Sequence, residues 1–230
     1  MNRLPHASLP HDSRRTQRRL ICLAILGSSV SLSLTAPALA ADAASFDTAF
    51  QEFQRANTGV DAAIDTAAER FGALSVASPG DPVLLAYTGA ATAMRARTTL
   101  LPWKKMSFAE DGLARIDKAL GMLTPAHDAP MYRGTPASLE TRFTAASTFL
   151  ALPGMFNRYA RGAKLLDEVL ASALLASAPL PFRGAVWLRA GSEAISDKRP
   201  DDARRLLQQV VSNGAPQADK AQAKLKELSS

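Results

Sequence analysis

Apolar residues in this chain recur at helical steps over most of its length. Leu113, Ile116, Leu120 and Leu123 form one set, Leu139, Phe143, Ala146 and Leu150 a second, and Leu166, Val169, Leu170 and Leu174 a third. Steps of three and four residues lay an apolar stripe along one helix face. Charges fill the other faces: Arg115, Asp117 and Lys118 on the first helix, Lys164, Asp167 and Glu168 on the third. Runs of alternating β-branched residues, which would mark strands, are absent. Prolines and glycines punctuate the pattern at Pro79-Gly80-Asp81-Pro82, Pro125, Pro130, Pro153-Gly154, Pro179, Pro181, Pro200 and Gly214-Ala215-Pro216. The spacing predicts nine helices, over residues 44–57, 60–77, 82–98, 106–123, 136–151, 155–176, 182–197, 200–213 and 217–228. Connections as short as Leu152-Pro153-Gly154 and Asp197-Lys198-Arg199 leave room only for an antiparallel neighbour. Consecutive helices should therefore pair as αα-hairpins.

The first forty residues break from this pattern. Arg14, Arg15, Arg18 and Arg19 form a basic head, Leu20 to Leu34 an apolar stretch diluted by Ser28, Ser29, Ser31 and Ser33, and Ala38-Leu39-Ala40 a small-x-small cleavage pattern. This is the layout of a secretory signal peptide. The stretch is short and serine-rich for a membrane span, which needs about 20 apolar residues. The domain expectation is thus a leader over 1–40 and one helical domain over 41–230, with no stable membrane span after cleavage. The periplasm of a Gram-negative bacterium is the expected compartment. Thr16 and Gln17 after Ser13-Arg14-Arg15 lack the apolar character of a twin-arginine signal, which favours Sec export.

Loss of the leader changes what composition implies. It carries five of the 27 Lys+Arg and one of the 21 acids, so the mature chain keeps 22 and 20, a net +2. That small excess argues against nucleic-acid binding. The one cysteine, Cys22, goes with the leader, and Ile21 before it is unsuited to lipoprotein cleavage. No thiol, disulfide or cysteine ligand remains, and His127 is the single mature histidine. Serine–histidine chemistry and a multi-histidine zinc site lack their residues. The expectation is no enzyme, no metal and no cofactor.

Trp187, Ala190, Gly191 and Ala194, followed by Ala203, Leu207 and Val210, stand at the spacing of the two helices of one repeat. Ala67-x3-Phe71 before Pro79, with Gly89 ten residues on, gives a second, partial match. These positions resemble the tetratricopeptide repeat, Trp-x2-Leu-Gly-x2-Tyr, then Ala-x3-Phe, then Pro. Ala190 replaces the usual Leu and Ala194 the usual Tyr. Gly191 and Ala203 would let the paired helices approach closely, while Trp187 and Leu207 fill the space around them. Pro79, Pro125, Pro179 and Pro216 should close the pairs, at spacings of 46, 54 and 37 residues. The spacings imply three pairs with long insertions instead of a regular array. The resemblance implies an all-α fold: antiparallel helix pairs stacked as a tetratricopeptide-like right-handed superhelix. Ala218, Ala221, Leu225 and Leu228 would seat a C-terminal capping helix.

The candidate binding residues fall in one stretch and one helix. Arg95, Arg97, Trp103, Lys104 and Lys105 concentrate four cations and an aromatic, with no acid from Gly89 until Glu110. Trp103-Lys104-Lys105-Met106 is expected in a long connection, where it could meet an acidic protein surface or anionic headgroups. The plainer alternative tucks Trp103 and Met106 under the loop. Val83, Ala86, Ala90, Ala93 and Met94 would line a concave groove if repeat geometry holds. Arg158, Tyr159 and Arg161 could bind an oxyanion or pair with Asp167, Glu168 or Glu140. Glu110 and Asp111 are adjacent on a helix and point about 100° apart, which suits a helix-dipole role better than a shared acid/base role. His127, among Pro125, Asp128 and Pro130, reads as a solvated loop histidine. Family resemblance implies a non-catalytic module holding a protein or peptide partner. The alternative is an accessory protein of an envelope exporter, beside a transporter component, binding a small apolar or lipidic ligand.

Overall fold

The computed structural model describes residues 36–228, with side chains from Ala43 onward. The expected leader therefore lies almost wholly outside the described residues, and its expected cleavage point falls inside the first helix. Residues from Ala36 form one compact unit. The described residues are all-α, and they contain an isolated bridge between Pro130 and Pro136 but no strand.

Four helix pairs follow one another. They are α1 (Ala36–Asn57) with α2 (Ala62–Ala77), and α3 (Pro82–Met94) with α4 (Pro102–Gly121). After these come α5 (Ala137–Ala151) with α6 (Tyr159–Ala171), a short α7 (Leu174–Ser177), and α8 (Leu180–Ser196) with α9 (Pro200–Ser212). A last helix, α10 (Ala218–Glu227), packs on α9 and α8. The pairs end just before Pro79, Pro125, Pro179 and Pro216, so these prolines delimit four pairs where their intervals suggested three. The extra residues between pairs are taken up by 3-10 turns at Pro125–Asp128 and Tyr132–Gly134 and by α7.

Glycine sets how closely each later pair approaches. A Cβ on Gly89 of α3 would stand 2.6 Å from the carbonyl oxygen of Gly112, and one on Gly112 of α4 would stand 2.5 Å from that of Gly89. Gly162 at the start of α6 faces Phe149 and Leu150 at the end of α5. Gly191 of α8 faces the side chain of Leu207 on α9, with Ala203 beside it, as the repeat-like spacing anticipates. Trp187 and Leu207 are both buried there. Ala221 anchors α10 with no exposed surface, and Arg204 donates to the Leu228 carbonyl at 3.2 Å.

α3 is the central helix. Asp81 caps it, its Oδ1 accepting from the amides of Val83 at 2.8 Å and Leu84 at 3.2 Å, with Pro82 in the first turn. Almost every residue from Pro82 to Ala93 is buried. Thr88 and Thr92 tolerate that position because their hydroxyls donate back to the carbonyls of Leu84 and Thr88, each at 2.7 Å. Phe46 and Phe53 of α1, Phe71 of α2 and Tyr87 of α3 form an aromatic cluster, with Phe71 stacked on Tyr87 at 4.8 Å.

Several helix boundaries differ from the sequence reading, among them the start of α1, at Ala36 instead of 44. α3 stops at Met94 and a 3-10 turn carries Arg95–Arg97. α4 starts at Pro102, not 106, because Pro102 can occupy its first turn at no cost in hydrogen bonds. The helix expected over 155–176 is three pieces. Left-handed Asn157 (φ 51°) separates the Gly154–Phe156 turn from α6, and extended Ser172 ends α6 before α7.

Candidate functional site

The sequence candidates at the junction of α3 and α4 divide into two groups. Arg95 and Arg97 are engaged. Arg95 Nε lies 2.6 Å from Asp65, its guanidinium reaches Glu69 at 4.0 Å, and it sits over the Phe108 ring at 5.7 Å. Arg97 pairs with Asp61 at 3.1 Å and donates to the Ala56 carbonyl. Sequence showed no acid nearby because these acids come from α2 and the residue just before it, about thirty positions earlier. The two arginines fasten the α3–α4 turn to the first pair.

Trp103, Lys104 and Lys105 behave differently. They occupy the first turn of α4, not a long connection, and they project outward. Trp103 is 67% exposed, which rules out its tucking under a loop, and Leu100 is 91% exposed beside half-exposed Leu101. Neither lysine is ion-paired among the described residues. The corner is thus an apolar tip, Leu100-Leu101-Pro102-Trp103, followed by two free cations.

The expected concave groove is closed. Val83, Ala86, Ala90 and Ala93 are each at most 6% exposed, packed inside the core, and half-buried Met94 packs against Ala56, Ala63 and Ile64. The centrality of α3 accounts for this: its small residues admit neighbouring helices and leave no room for a ligand.

Arg158 and Arg161 find neither an open oxyanion site nor the acids expected for them. Both meet Asp117 of α4, Arg158 at 3.0 Å and Arg161 at 2.5 Å, and both lie over Phe149. Tyr159 donates to Asp197 at 2.5 Å, which pushes its pKa up to about 12 and holds the Asp197 carboxyl below its usual range. His127 is a cap, not a free loop side chain. Its Nδ1 accepts the Thr124 amide at 3.0 Å. Glu110 and Asp111 are exposed on α4, with Asp111 near Ser107.

Two features escaped the sequence reading. The first is a buried polar cluster. Glu140 Oε1 accepts Tyr87 Oη at 2.5 Å and an Arg133 nitrogen at 2.6 Å, while the guanidinium lies 3.4 Å from the Phe50 ring centroid. Burial, then the Glu140 charge, raises the Tyr87 pKa well above the ordinary tyrosine value. The second is an open recess of about 510 Å3 where α5, α6 and α7 meet. Ala173 and half-buried Leu174 give it an apolar floor, and Asp128, Arg142 and Glu168 a charged rim. The Arg142–Glu168 pair is loose, at 3.9 Å, and Asp128 accepts the Ser138 hydroxyl. Its rim residues are distant in sequence, and the break between α6 and α7 that lies beside it is unmarked by proline or glycine. Among the described residues no group of three His, Cys, Asp or Glu could hold a metal ion, and no helix is long and apolar enough to cross a membrane. No protein-family model, curated protein or solved structure matches this chain.

Proposed function

We propose that this chain is a non-catalytic interaction module of the periplasm that holds a peptide segment of a partner protein in the recess between α5, α6 and α7. The scaffold is read as a tetratricopeptide-like right-handed superhelix of four helix pairs, with α10 as its cap. The observation that carries the reading is the lining of the recess. An apolar floor with a few convergent polar groups is the ordinary composition of a binding site. Two rim carboxylates against one arginine favour a segment with an apolar side chain flanked by a cation. Other candidates from the sequence serve structure: His127 caps a turn, and Arg158, Arg161 and Asp117 bind α4 to α6.

Peptide display against the mature chain should enrich such sequences. Ala171→Trp places a large side chain from an exposed rim position into the recess. It should cut affinity by at least about tenfold, since a built-in clash acts directly on the bound state, and leave thermal melting unchanged. Peptides that bind the variant equally well would place the site elsewhere.

Periplasmic location is supported by the basic head, the short apolar stretch and Ala38-Leu39-Ala40. Intact mass of the exported protein should give a chain beginning at Ala41. A mature form that keeps Met1 would overturn the export reading.

A further inference from the structure

We propose that the α3–α4 corner, residues 100–105, is a peripheral membrane contact that dips into the headgroup region of an anionic bilayer. The shape of the corner is the first argument. Leu100, Leu101, Pro102 and Trp103 are consecutive and exposed, at the tip of a turn fastened from behind by Arg95 and Arg97. A contiguous apolar projection is unusual on a protein that meets only water. Lysine, which follows this tip twice, is depleted at protein interfaces.

Charge is the second argument. Lys104 and Lys105 follow Trp103 directly, exposed and without ion pairs among the described residues. Tryptophan settles at the membrane–water boundary and lysine reaches lipid phosphate, so the two residue types belong at one depth. The nearest acids of α2 and of the residue just before it are neutralised by Arg95 and Arg97. Glu110 is six residues beyond Lys104, about 9 Å along the axis at the helical rise, away from the tip. The start of α4 adds donors at the same place. No side chain caps it, and Pro102 supplies no amide, so the Trp103 and Lys104 N–H groups remain for an anionic acceptor. The apolar tip, the lysines and the uncapped amides all lie within the first turn of α4 and the two residues before it.

One short apolar tip and two cations give weak, reversible attachment, as single anchors generally do. The contact orients the protein at a membrane and does not hold it there permanently. It is independent of the recess, so either proposal can fail alone.

The test uses the full mature chain with vesicles of phosphatidylcholine, with and without phosphatidylglycerol. The chain should float with the anionic vesicles only, and Trp103 should shift to the blue and be quenched by brominated lipid. Trp187 is the other tryptophan, and it is buried already. Trp103→Ala, and separately Lys104→Glu with Lys105→Glu, should each reduce binding by about tenfold, with melting unchanged because these positions are exposed. Raised salt should weaken binding of the native chain, since exposed charges are screened within about 8–10 Å. Absence of flotation, or flotation untouched by both variants, would overturn the proposal. So would a photo-crosslinker at position 103 that joins a protein in native envelopes while vesicles are ignored, which would make the corner a protein contact.

Discussion

Gly89→Ala is expected to lower folding stability by about 3 kcal/mol, the upper part of the range for overpacking. The added methyl would meet the Gly112 carbonyl oxygen at 2.6 Å and Ile116 Cγ1 at 2.8 Å. A backbone carbonyl in a helix cannot swing aside, so α3 and α4 must separate. α3 is the helix on which α2, α4 and α5 all pack, so a shift there disturbs three interfaces. Gly191→Ala should cost less, because its new methyl would meet Leu207 Cγ and Cδ2, atoms of a side chain that can change rotamer. Gly72→Ala is the control. Nothing lies within 4 Å of a Cβ there, and alanine favours helix over glycine by roughly 0.5–1 kcal/mol, so that variant should be at least as stable as the native chain. Urea melts of the three variants give the order. If Gly89→Ala melts like Gly72→Ala, the close contact of α3 with α4 is wrong.

The sequence made the secondary structure legible where packing is periodic, and it failed where packing is not. The stripe on 113–123 gave α4, which buries Leu113 and Ile116 and exposes its charged face, and the stripe on 139–150 gave α5, although that helix is buried on nearly every side. Gly191 with Ala203 announced a close pair correctly, since small residues at a hairpin's middle have few other uses. The same reasoning misread α3. Val83, Ala86, Ala90 and Ala93 look like a small-residue groove, yet a helix apolar on all sides is the buried one. Trp103 was misplaced because Pro102 reads equally as a breaker and as a first-turn residue. Charge was the least legible property. The 89–109 stretch is basic in sequence, but Asp61, Asp65 and Glu69 reach Arg95 and Arg97 from another pair. Local charge counting sees only neighbours along the chain. The recess is lined by extended Ser172, a residue with no strong turn signal. Its rim acids and arginine therefore looked like ordinary solvated faces.

Arg133→Met is expected to destabilise the fold by about 3 kcal/mol, the cost typical of removing one partner from a buried ion pair. Glu140 has a side chain only 3% exposed, and its Oε2 already lacks a hydrogen-bond partner among the described residues. Without Arg133, the carboxylate keeps one neutral donor, the Tyr87 hydroxyl, and its charge is left uncompensated. The native chain secures that pairing at some backbone strain, since Arg133 is left-handed with φ 53°. The guanidinium also lies against Phe50, and Phe46 stacks on Tyr132 at 4.0 Å, whose hydroxyl donates to the capping Asp81. The loss should therefore show first in α1, as faster amide exchange around Phe46 and Phe50. Glu140→Gln tests whether charge is the cause, because glutamine keeps an acceptor for Tyr87 and needs no cation. Arg133→Met with Glu140→Gln should melt at higher urea than Arg133→Met alone. Interaction energies of contacting groups are about 0.5–3 kcal/mol, well within the resolution of a double-mutant cycle. A double variant no more stable than Arg133→Met would assign the effect to the lost aromatic stacking and clear the buried carboxylate of any part in it.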